Sequence, residues 1–139
     1  MFTFKDFEFE VIDLSVQGTA DLYVNQTGLT FSKKMLEDMA YPAYVRPLID
    51  AKNKAFAVQI CKQGDDKAMK FSKPRSEQTT GYSTNSNALS RTVRTVMGDM
   101  WQDTMRYRIT GIYDPGAKAM IFDLASAEEL LPLRTPRKR

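Results

Sequence analysis

Thr27–Met39 reads TGLTFSKKMLEDM, a short strand-like run that breaks at a serine into a helix-like segment. Sixty residues on, Asn87–Met100 reads NALSRTVRTVMGDM, the same shape in different letters. Ser32 is an N-cap for a helix over Lys33–Met39, because a serine side chain can accept from an orphan amide of the first turn. Met35, Leu36 and Met39 form the inner side of that helix. In the second stretch Leu89, Val93, Val96, Met97, Met100 and Trp101 recur at helical spacing, which predicts an amphipathic helix over Asn87–Trp101.

Each helix is followed by a hairpin pattern. AYPAYVRPLI is strand-like, with Pro47 requiring an edge position or a bulge. DAKNK turns the chain, and AFAVQIC alternates Phe56, Val58 and Ile60 against Ala57 and Gln59. In the second half RYRITGIY and KAMIFDL flank the turn signal DPGA. Placing Ser32 on Ser90, with six extra residues between helix and hairpin, sets Asp50 on Asp114. Val45, Pro47 and Ile49 then fall on Ile109, Gly111 and Tyr113, and Phe56, Val58 and Ile60 on Met120, Phe122 and Leu124. Strand parity agrees throughout, and a one-residue slip would turn each face inside out. Of these, Phe56, Val58, Ile60, Ile109, Met120, Phe122 and Leu124 are the expected core.

The rest of the chain fits around this pair. FTFKDFEFEVIDLSV alternates like a half-buried strand, and GTADLYVNQTGLTF reads as one extended segment kinked near Gly28. KQGDDKAMKF adds a short strand ending near Phe71. SAEELL is a short helical end before Pro132. The polar stretch SEQTTGYSTNSN has no apolar period and reads as a linker. The expected organisation is therefore residues 1–75 as N-terminal strands plus a first unit, 76–86 as linker, 87–131 as a second unit and 132–139 as a basic tail.

With 139 residues, 42% hydrophobic and 27% charged, the chain is long enough to bury a core and has a globular composition. No apolar run approaches the roughly 18 residues of a membrane span. Acids in MFTFKDFEFE argue against a signal peptide, and the single Cys61 fits a reducing cytoplasm, so a cytoplasmic protein without a membrane partner is expected. Residues 1–50 carry four Lys/Arg against eight Asp/Glu and the remainder sixteen against nine, so the two parts stand at −4 and +7. Such asymmetry permits an anionic partner.

LTFSKKMLEDM and LSRTVRTVMGD resemble the strand-to-helix junction of the AbrB/MazE-type swapped-hairpin proteins. Ser32 and Ser90 stand where that junction carries proline. Arg91, Val93, Arg94, Met97 and Gly98 match in the second copy, and Lys33, Met35 and Met39 in the first. Two units in one chain resemble the MraZ branch. The resemblance implies an α+β, β-rich fold: a tandem strand/helix/β-hairpin repeat whose copies form an intertwined AbrB-like core. It also implies a DNA-binding transcriptional regulator, with double-stranded DNA as partner and possible assembly into homo-oligomers. The implied phosphate contacts are Arg91, Arg94, Arg106 and Arg108 of the second unit, with Lys33, Lys34 and the tail residues Arg137, Lys138 and Arg139.

Two departures from that pattern bear on this expectation. Leu36 replaces the helix arginine of the first unit, followed by Glu37 and Asp38, and the Asp-x-x-x-Arg signature of the MraZ branch is absent. The alternative is a non-enzymatic protein–protein interaction module with an antitoxin-like or assembly role. Enzymatic chemistry is not expected. Histidine is missing, there is no glycine-rich phosphate loop, and the Gly64–Asp66 carboxylates lack a third ligand, so neither cofactor nor metal is implied.

Overall fold

The computed structural model describes residues 2–9 and 18–132. Its strands are β1 (Asp21–Val24), β2 (Leu29–Phe31), β3 (Tyr44–Asp50), β4 (Ala55–Cys61), β5 (Met69–Lys70), β6 (Tyr82–Thr84), β7 (Arg106–Thr110), β8 (Ile112–Asp114), β9 (Ala119–Asp123) and β10 (Glu128–Leu130). Two α-helices, α1 (Lys33–Asp38) and α2 (Asn87–Met97), lie between them. Sheet A has the order β10-β7-β1-β2-β6 and sheet B the order β5-β3-β4-β9-β8, and every pairing is antiparallel. The fold is therefore mixed α+β and strand-rich.

Alternation decides which side chains go inward. Leu22, Val24, Leu29, Phe31, Tyr107 and Ile109 of sheet A share one core with Val45, Phe56, Val58, Met120 and Phe122 of sheet B. Met35, Leu36 and Met39 of the α1 region and Val93 and Met97 of α2 complete it. Six of the seven expected core positions (Phe56, Val58, Ile109, Met120, Phe122 and Leu124) are buried, and Ile60 packs half-buried against them. Ser32 caps α1 as expected, accepting from the Met35 amide. Pro47 lies on the side of β3 that β5 leaves uncovered beyond Val45, so its missing N–H disrupts no ladder.

Ser90 is not the counterpart of the Ser32 cap: helix α2 starts at Asn87 as expected and ends at Met97, short of Trp101. Its N-cap is Ser86, accepting from the Leu89 amide, while Ser90 is buried and donates to the Asn25 carbonyl. The helix stops at Gly98, whose φ of 52° is a glycine conformation. The stretch expected as linker contains β6, which pairs with β2 (Leu29↔Thr84, Thr30↔Ser83, Phe31↔Tyr82). GTADLYVNQTGLTF is a tight hairpin of two strands, closed by Asn25 N–H donating to the Gly28 carbonyl. SAEELL forms β10 rather than helix, because its backbone completes the edge of β7. Residues 2–9 of the expected first strand hold a 3-10 turn at Phe4–Asp6 instead, and the continuation of that strand lies outside the described residues.

Two sets of reciprocal contacts organise the sheets. The hairpins β3–β4 and β8–β9 correspond at a constant spacing of 64 residues: Ile49↔Phe56 matches Tyr113↔Met120, and Leu48↔Ala57 matches Ile112↔Ile121. Lys54 and Lys118, at equivalent turn positions, both have positive φ (55° and 53°). Their carbonyls accept crosswise, Lys54 from the Leu124 amide at 3.0 Å and Lys118 from the Ile60 amide at 2.8 Å. In sheet A a Cβ on Gly28 would fall 2.0 Å from the Thr84 carbonyl oxygen, and one on Gly81 2.2 Å from that of Phe31. The two glycines thus let β2 and β6 approach each other in the same way from both ends.

Between the sheets, one strand changes allegiance. Gly111 donates to the Ala20 carbonyl at 2.7 Å, ending the β1–β7 ladder, and the next residue begins β8 in sheet B. A side chain at Gly111 would press on Phe122 and Met120. The second hairpin expected from RYRITGIY thus has its first arm divided between two sheets.

Two stability measurements follow. Phe122→Ala removes a fully buried ring that stacks on Phe56, and chemical denaturation should show a loss of about 3–5 kcal/mol. Gly28→Ala and Gly81→Ala should each cost at least about 2 kcal/mol, since a backbone carbonyl must retreat to admit the methyl. A near-neutral result at either glycine would contradict the close approach.

Candidate nucleic-acid interface

Strand β7 alternates buried Tyr107 and Ile109 with half-exposed Arg106 and Arg108, so both arginines leave the same face of sheet A. Its neighbour β1 sets Tyr23 opposite Arg108, and β10 sets Glu128 opposite Arg108 on the other side. One row therefore crosses the outer face as Glu128, Arg108, Tyr23, Thr30 and Ser83. The Arg106 guanidinium lies 5.8 Å from the Tyr23 ring centroid. Arg108 pairs with Glu128, and that carboxylate, with a hydrogen bond to Tyr23, raises its already high pKa.

A chain of polar contacts spreads from these arginines. Arg106 Nε donates to Asn25 Oδ1 at 3.0 Å, Asn25 Nδ2 donates to Thr30 Oγ1 at 2.9 Å, and Thr30 Oγ1 meets Ser83 Oγ at 3.0 Å. Five segments of chain thus present one outer face carrying two guanidiniums, the Glu128 carboxylate, an aromatic ring, a carboxamide and two hydroxyls. Such a surface offers donors to phosphate oxygens and a π-face to a base or sugar. The Arg108–Glu128 pair is solvent-exposed, where water and salt screen its attraction, so a phosphate can compete with the carboxylate for the guanidinium.

The other expected contacts are placed differently. Arg94 turns inward. Its Nη2 donates to the carbonyls of Met105 (2.8 Å), Asn25 (3.2 Å) and Val24 (3.4 Å), and its Nη1 to that of Gln102 (3.2 Å). Its guanidinium also lies 5.8 Å from the Tyr107 ring centroid. Burial lowers its pKa, although an arginine there stays charged. Its terminal donors thus tie α2 to the end of β1 and the approach to β7, and its Nε is buried without a partner, so the geometry gives this residue an internal tie where a phosphate contact was expected.

Arg91 is exposed on α2, with Nε on the Asn87 carbonyl at 3.4 Å. Lys33 and Lys34 lie on α1, and Lys34 pairs with Asp38 at 2.6 Å, which raises its pKa. Arg137, Lys138 and Arg139 lie outside the described residues. The structure therefore brings Arg106 and Arg108 together, and adds Tyr23, Asn25, Thr30 and Ser83, which sequence reasoning missed. The alternation within DLYV and the shared Thr-Gly before LTF and YST were the available signals.

Trp101 and Tyr107 stack at 4.2 Å between centroids and are buried, so these aromatics pack rather than bind. Among the described residues no cluster of His, Cys, Asp and Glu could hold a metal ion, and no helix is long and apolar enough to cross a membrane. No family model, curated protein or solved structure matches the chain.

The inward placement of Arg94 makes a specific prediction. Arg94→Ala should lower stability by about 2–3 kcal/mol by stranding several carbonyls, and Arg94→Lys should restore only part of it, because an ammonium cannot span the same acceptors. Arg91→Ala, at an exposed position, should change stability by less than about 0.5 kcal/mol. Equal effects at the two sites in thermal or urea unfolding would contradict the assignment.

Proposed function

We propose that the chain is a non-enzymatic DNA-binding regulator of the AbrB/MraZ type, which meets the phosphate backbone through the outer face of sheet A. The observation that carries this reading is the grouping of Arg106 and Arg108 around Tyr23, continued by Asn25, Thr30 and Ser83. The tandem, swapped-hairpin part of the proposal is supported by the 64-residue correspondence of the hairpins and by the crosswise bonds of Lys54 and Lys118. The matched glycines of β2 and β6 support it as well. In this reading Arg94 is a positioning residue. It holds the Asn25 carbonyl while the Asn25 side chain holds Arg106, so it fixes the surface without touching the duplex.

The test is a titration of fluorescent double-stranded DNA at several salt concentrations. Arg106→Ala with Arg108→Ala should weaken binding to any duplex and reduce the slope of log K against log salt by about 2, one for each lost phosphate contact. Failure of the parent protein to bind more tightly than about 10⁻⁴ M at low salt, where even non-specific binders associate, would refute the proposal.

A further inference from the structure

Phe2, Phe4, Phe7 and Phe9 form a small aromatic cluster of their own. Phe4 stacks on Phe9 at 4.8 Å, Phe2 meets Phe7 at 5.5 Å, and Phe7 meets Phe9 at 5.6 Å. The turn beneath them is closed by the Thr3 amide donating to Asp6 Oδ2 at 2.9 Å. Despite this order the four rings remain 49–83% exposed. At roughly 150–250 Å² per ring, the apolar area left in water is on the order of 400–700 Å², as large as the largest patch on an ordinary monomer. A preorganised cluster of this size is built to be covered.

The body of the protein carries a matching surface. On the outer face of sheet B, Leu48, Ala57, Ile121 and Ile112 stand in one cross-strand row, fixed by the pairs Leu48↔Ala57, Ala57↔Ile121 and Ile112↔Ile121. Leu48 and Ile121 are exposed, and Ile112, at the open edge of the sheet, is 75% exposed. Ala57 in the middle keeps the row shallow enough to admit rings. The two apolar surfaces are also covalent neighbours. The chain enters the body at Gly18–Ala20, and the Ala20 carbonyl accepts from Gly111, the residue before Ile112. The eight residues between Phe9 and Gly18 can span up to roughly 27 Å, and a row of four strands is only about 14 Å wide.

We infer that the Phe2–Phe9 segment docks on the outer face of sheet B of its own chain, its phenylalanines covering Ile112, Ile121 and Leu48. This site lies on sheet B, away from the arginine row of sheet A, and does not depend on the nucleic-acid reading. Dye binding and cross-linking test it. Replacing all four phenylalanines by serine should raise the fluorescence of an added hydrophobic dye at least twofold, because the aliphatic row is uncovered. If the rings stand free in solution, the same change removes apolar surface, and a fall or no change would overturn the inference. Separately, Phe4→Cys with Ile121→Cys in a Cys61→Ser background, treated with a short bis-maleimide at low micromolar protein, should give a cross-linked monomer. Cross-linking only between copies, or none at all, would overturn docking in cis.

Discussion

Phe56 stacks on Phe122 and Val58 faces Met120 where β4 and β9 pair, and on this ladder depends the burial of both hairpins. A hairpin has one apolar face and cannot bury it alone. Joined through their inner strands, β3–β4 and β8–β9 make one continuous sheet whose inner residues close onto sheet A and the two helices. The crosswise bonds from Leu124 to Lys54 and from Ile60 to Lys118 clamp this junction at both ends. In sheet A, Gly28 and Gly81 let β2 and β6 approach closely at both ends of their pairing. The strand through Gly111 belongs to both sheets and joins them covalently.

This dependence explains how the arginine surface of sheet A is positioned. Arg106 and Arg108 point outward because Tyr107 and Ile109, between and after them, are drawn into the core. The surface is thus set by burial on its reverse side. Arg94 adds an electrostatic constraint by holding the carbonyls at the end of β1, next to the carboxamide that receives Arg106. The positive charge of residues 51–139 is consequently divided between guanidiniums that shape the fold, as Arg94 does, and guanidiniums that remain on its surface, as Arg106 and Arg108 do.

Local chemistry in the sequence foretold much of this, and long-range chemistry did not. Ser32 announced its helix, DAKNK and DPGA announced their turns, and parity placed Phe56, Val58, Met120 and Phe122 in the core. The strand β6 escaped because Tyr82, Ser83 and Thr84 have no apolar period; what makes them a strand is the partner Leu29–Phe31 and the glycine before each. The sheet change at Gly111 was invisible because alternation is the same on either side of it. Arg94 looked like a surface charge, since spacing along a helix identifies a polar side but not the carbonyls that a distant strand end presents to it. The surface around Tyr23 escaped for the same reason, being assembled from β7, β1, β2 and β6.

The most direct test of the proposed interface is to map the footprint of a DNA duplex residue by residue, by following backbone amide shifts during titration at low salt. The account predicts that the largest changes fall on Tyr23, Asn25, Thr30, Ser83, Arg106 and Arg108, with sheet B unaffected. A footprint centred on sheet B or on the exposed side of α2, or no shifts at all, would contradict it.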